Sequence, residues 1–74
     1  MKDVLDSKTK ARAIKLFREE REKKNFTQAD VAQKAGINKN YYAKLEREEE
    51  NPSAEVLLKI AKALGLKSSD ILPF

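Results

Sequence analysis

Between Asn38 and Lys44 the chain gathers side chains suited to the edges of nucleic-acid bases: Asn38, Lys39, Asn40, Tyr41 and Lys44. Asparagine can pair bidentately with adenine, and lysine reaches the O6 and N7 acceptors of guanine. Tyrosine can lay its ring on a thymine methyl or a sugar and donate its hydroxyl to a phosphate. The same residues also suit an ordinary solvated helix face, where surface lysines are the default. What is missing narrows the choice. With no histidine and no cysteine, catalysis would fall to carboxylates, lysines, hydroxyls and tyrosines, and the usual zinc ligand sets cannot form. A small layer of helices offers little concavity in which to shift their pKa values. No catalytic residue, metal or cofactor is expected, and the chain does not read as an enzyme.

The elements that position these residues are helical. Ser7 to Lys24 is rich in alanine, leucine, arginine, lysine and glutamate, all good helix formers. Ser7 is the expected N-cap. Ala13, Phe17 and Arg21, flanked by Ile14 and Leu16, make its inward stripe. Asn25 is placed for a left-handed stop. Thr27 with Asp30 reads as a capping box for a second helix over 28–35, with Val31 and Ala32 inward and Gly36 as its stop. Asn38 caps a third helix from Lys39 to about Arg47, with Tyr42 and Leu45 as its apolar side. Pro52 bars any helix through the Glu48-Glu49-Glu50-Asn51 loop. Ser53 caps a fourth helix whose core face is Leu57, Ile60, Ala61 and Leu64, ended by Gly65. Ser68 or Ser69 opens a final short turn with Ile71 and Leu72. Helix, glycine turn, helix is the unit whose second helix can enter a major groove. The predicted fold is all-α, a compact five-helix bundle in a single domain over 1–74.

Length and charge agree with this. Seventy-four residues, 41% hydrophobic and 38% charged, make one small folded domain, neither disordered nor fibrous. The net charge of +4 is compatible with a polyanionic partner. Residues 1–27 carry nine basic and five acidic side chains, whereas 48–74 carry three and five, so a nucleic-acid face belongs to the first two thirds. No apolar run approaches the roughly 20 residues of a membrane span, and the charged start lacks a signal peptide's apolar centre. A cytoplasmic location without membrane contact is expected. Met1 and the early end of the fold carry the expectation of a complete gene product with no small-molecule effector domain.

Phe26-Thr27-Gln28-Ala29-Asp30-Val31-Ala32, Ala35-Gly36-Ile37, Leu45-Glu46-Arg47, Asn51-Pro52-Ser53 and Leu64-Gly65 resemble the phage repressor and Cro-type helix-turn-helix family, which includes restriction–modification controller proteins. The resemblance spans roughly Ala13 to Leu72. It implies a lambda-repressor-like DNA-binding domain that regulates transcription, usually as a two-fold homodimer on double-stranded operator DNA. It also implies roles: Gln28 as the phosphate-clamping glutamine, with the Thr27 side aiding; Lys39, Asn40 and Lys44 as principal base readers, with Asn38 and Tyr41 beside them; Arg21 and Glu46 as a structural ion pair. Arg47 is expected as a further phosphate contact.

The chain departs from the family at Glu48, where glycine is common. A non-glycine residue at positive φ costs of order 1 kcal/mol, so the third helix is expected to extend by a residue or two instead. The acidic loop Glu48-Glu49-Glu50 should weaken non-specific binding where relatives carry basic residues. Residues 1–10 exceed the minimal domain and either fray or lengthen the first helix. Leu66, Ile71, Leu72 and Phe74 crowd the C-terminal end; some must close the core, and the rest form an expected dimer interface. That apolar end and the acidic loop also fit an alternative, a protein-interaction module of the antitoxin or coactivator-adaptor kind built on the same fold.

Overall fold

The computed structural model describes residues 6–72. The described chain folds as α1 (Ser7–Lys23), α2 (Gln28–Ala35), α3 (Lys39–Glu46), α4 (Ala54–Ala63) and α5 (Ser68–Ile71). Four caps start these helices with side-chain oxygens. Asp6 accepts the Thr9 N–H at 2.7 Å, so the cap of α1 is Asp6 and not Ser7, which becomes the first helical residue. Aspartate caps as well as serine and adds a negative charge at the positive end of the helix. Thr27, Asn38 and Ser53 cap α2, α3 and α4. At α5 the Asp70 carboxylate accepts the Lys67 N–H at 2.8 Å.

The four longer helices all stop in one way. Asn25, Gly36, Glu48 and Gly65 each adopt positive φ, between 58° and 74°. The next residue returns its N–H to a carbonyl five positions earlier: Phe26 to Arg21, Ile37 to Ala32, Glu49 to Lys44 and Leu66 to Ala61. This is the Schellman arrangement, which satisfies carbonyls that the helix end leaves unpaired. It corrects the expected extension of α3. The helix ends at Glu46 and Glu48 accepts φ 59°, because the N–H groups of Glu48 and Glu49 bond back onto Leu45 and Lys44 at 2.9 Å each.

One core joins the helices. It comprises Ala13, Phe17, Val31, Ala32, Tyr42, Leu45, Leu57, Ile60, Ala61, Leu64 and Ile71. Complete burial of side chains such as Phe17, Val31, Leu45 and Leu57 stabilises by about 1.5–3 kcal/mol each relative to exposure. The turn residues Phe26, Ile37 and Leu66 pack against this core, as do Leu16 and Tyr41. α2 packs on α3 and α4, and α1 crosses α3, α4 and α5, so α3 is held from behind while its outer face stays open. Among the described residues, no helix is long and apolar enough to cross a membrane.

Candidate nucleic-acid interface

The outer face of α3 begins at its cap. The Asn38 side-chain oxygen accepts the N–H groups of Asn40 and Tyr41 at 2.8 and 3.1 Å. Bidentate pairing with adenine needs both ends of the amide, so Asn38 can offer only its nitrogen without giving up the cap. Asn40 is exposed, and none of the described hydrogen bonds uses its side chain. Lys39 and Lys44 are exposed as well, whereas Tyr41 is half-buried against the core. Burial, and then the charge of Glu50, push the Tyr41 hydroxyl up, which keeps it a hydrogen-bond donor. The exposed polar set is thus Lys39, Asn40 and Lys44, along one helix side that the turn at Gly36 sets against α2.

The N-terminus of α2 lies beside α3 through a buried polar network. Arg21 meets Glu46 fork to fork, Nε to Oε2 at 2.7 Å and Nη2 to Oε1 at 3.1 Å, and also donates to the Phe26 carbonyl at 3.0 Å. The Gln28 amide nitrogen donates to Glu46 Oε1 at 2.9 Å. A carboxylate only accepts, so this contact settles which end of the Gln28 amide faces it. The second amide hydrogen remains for an outside acceptor. Hydrogen bonding to Glu46 raises the Arg21 guanidinium. Burial pushes the Glu46 carboxyl up, but the bonds from Arg21 and Gln28 outweigh it and leave it below the ordinary range. The Tyr42 hydroxyl is buried beside this pair without a hydrogen bond of good geometry, and burial raises it strongly.

Thr27 and Asp30 complete the capping box, the Thr27 hydroxyl accepting the Asp30 N–H at 3.0 Å and the Asp30 carboxylate accepting the Thr27 N–H at 2.8 Å. That uses two donors of the helix end and leaves those of Gln28 and Ala29 for an anion. Arg47, just past α3, is paired bidentately with Glu49.

The apolar C-terminal residues divide. Ile71 is buried and closes the core, while Leu66 and Leu72 are half-buried; Phe74 lies outside the described residues. A groove of about 290 Å³ between α1 and α5 is lined by Leu16, Ile71 and Leu72 as well as by Arg12 and Asp70. No group of three or more His, Cys, Asp or Glu residues able to hold a metal occurs among the described residues.

Two residues escaped the sequence reading. Lys10 is only 7% exposed and donates to Asn51 Oδ1 at 2.8 Å. The inward stripe Ala13, Ile14 and Phe17, carried back one turn at helical spacing, lands on Lys10, which was the available signal. In the sequence Glu49 is one of three glutamates of the acidic loop, with nothing to single it out. Its partner, two residues away, becomes visible only once the left-handed bend at Glu48 is known.

Residues 17–72 match the family model described as helix-turn-helix. The chain is 39% identical over 64 residues to the immunity repressor protein of Bacillus phage phi105, covering 86% of this chain and 42% of that protein. It is 38% identical over 47 residues to an uncharacterized helix-turn-helix-type transcriptional regulator of Methanocaldococcus jannaschii, covering 64% of this chain and 71% of that one. It therefore spans less than half the length of the phage repressor. No solved structure matches at comparable significance.

Proposed function

The chain belongs to the helix-turn-helix family of phage repressor and Cro type, and from that premise we propose that it is a sequence-specific double-stranded DNA-binding transcriptional regulator. α3 lies in the major groove, which admits a helix about 10–12 Å across. Lys39, Asn40 and Lys44 read bases, with Tyr41 and the Asn38 nitrogen beside them. Gln28, the α2 N-terminus at Thr27, and Arg47 contact phosphate and set register. The observation that carries this reading is the open polar side of α3, where Asn40 keeps both ends of its amide available while the opposite side is locked into the core.

The protein acts as a homodimer on a palindromic operator, its two α3 helices about 34 Å apart. The groove between α1 and α5 supports this. Its lining includes the apolar Leu16 and Leu72 together with Arg12 and Asp70, and a two-fold axis can bring opposite charges of two copies together.

Selection from a random duplex library with the purified chain, followed by sequencing, tests the reading. An inverted repeat with half-sites about one turn apart is the expected product. No enrichment by folded protein overturns it. That outcome would favour the interaction-module reading, which the same groove suits; a protein interface there would be nearly indifferent to salt, whereas groove binding weakens linearly in a log–log plot.

A further inference from the structure

Three of the four Schellman ends place an apolar residue after the left-handed position, and Phe26, Ile37 and Leu66 all pack on the core. The end of α3 puts Glu49 there. Its backbone N–H makes the same return bond, to Lys44 at 2.9 Å, but its side chain stays outside. The carboxylate turns back to Arg47, Oε2 accepting from Nε at 3.0 Å and Oε1 from Nη2 at 3.1 Å. Both side chains remain about half exposed, at 55% and 53%. The loop is fixed further on as well, because Asn51 accepts from the buried Lys10 and Pro52 is buried. Glu49 is thus held between two anchored points, next to the last turn of α3.

A planar guanidinium gripped by two carboxylate oxygens is the arrangement in which it grips two phosphate oxygens. Hydrogen bonds and charge from Arg47, with Lys44 adding to them, hold the Glu49 carboxyl below the ordinary range, so it is ionised at neutral pH. An exposed pair of this kind is only weakly held, and a phosphate can displace it.

We propose that Glu49 competes with the DNA backbone for Arg47, and so sets the affinity and salt dependence of DNA binding without altering sequence preference. This rests on the DNA-binding reading above. Phosphate contacts carry no base information, so the effect falls equally on any duplex.

The test measures affinity of the full chain by fluorescence anisotropy between 50 and 200 mM salt, on a random duplex and on the duplex recovered by selection. Glu49→Gln should bind both more tightly, with a log–log slope steeper by up to about 0.9, because in the unaltered complex Arg47 is shared between Glu49 and phosphate and one full contact is the limit. The gain over the unaltered chain is then up to about 3.5-fold larger at 50 mM than at 200 mM salt. In an Arg47→Met background, Glu49→Gln should change neither affinity nor slope. An unchanged slope overturns the competition, and so does an equal gain in the Arg47→Met background, which would make Glu49 a distant charge only. Failure of the unaltered, folded chain to bind either duplex overturns the DNA-binding reading itself, and that result is distinguishable from binding that ignores Glu49. Thermal melts of all variants verify that each is folded.

Discussion

Gln28 at the head of α2 and Glu46 at the end of α3 are joined by a 2.9 Å hydrogen bond, on the same carboxylate that pairs with Arg21. The side chain proposed to contact phosphate is thereby oriented by the ion pair that ties α1 to α3. Glu46 spends all its charge inside the fold, and Gln28 keeps one amide hydrogen for use outside it.

Breaking that ion pair should be costly. The Arg21 and Glu46 side chains are 14% and 4% exposed, so removal of one strands the other in a desolvated site. Arg21→Met or Glu46→Ala should destabilise by about 3–5 kcal/mol in urea unfolding. Arg21→Lys should recover little, since a point-like ammonium cannot reproduce the two-pronged contact.

Acid should erode the same contact. The Glu46 carboxyl is below its ordinary 4.5 in the folded state, so its contribution is complete above that value and is lost as pH falls through the folded value. Unfolding free energy measured from pH 7 to pH 2 should decline on the acid side of 4.5. In Glu46→Gln this decline should be shallower, with lower stability at neutral pH. An identical acid slope in both proteins would contradict the assignment.

Glu48 holds a backbone conformation that glycine adopts without penalty. Glu48→Gly should stabilise the fold by about 1 kcal/mol and raise the melting temperature by about 4–8 °C. The comparison is a pair of calorimetric melts. A lower melting temperature would mean that the Glu48 side chain contributes more than its backbone strain costs.

On DNA, Asn40→Ala and Lys44→Ala should each cost about 1–3 kcal/mol and relax preference at one base position. Gln28→Ala should weaken random and selected duplexes alike, with the salt slope unchanged, because an uncharged amide neutralises no phosphate. Competition binding against single-base operator variants separates the two behaviours. If Asn40→Ala and Lys44→Ala leave affinity and preference unchanged, α3 is not the reading helix.

What the sequence determined by itself was local. The capping box of Thr27 and Asp30, the caps at Asn38 and Ser53, and the left-handed stops at Asn25, Gly36 and Gly65 are set by residues three to five positions apart. So are the core faces of α2 and α4, read from helical spacing. The tertiary structure decided what distance in the chain conceals. Lys10 becomes a buried donor only because Asn51, 41 residues away, is brought to it. Gln28 turns its nitrogen inward only because Glu46 stands across the helix junction. At Glu48 local cost argued for a longer helix, yet the return bonds of Glu48 and Glu49, together with the loop anchored at Asn51 and Pro52, outweigh about 1 kcal/mol of strain. That bend in turn places Glu49 on Arg47. Propensities describe each residue against its neighbours in sequence, whereas these contacts are set by which helices pack together.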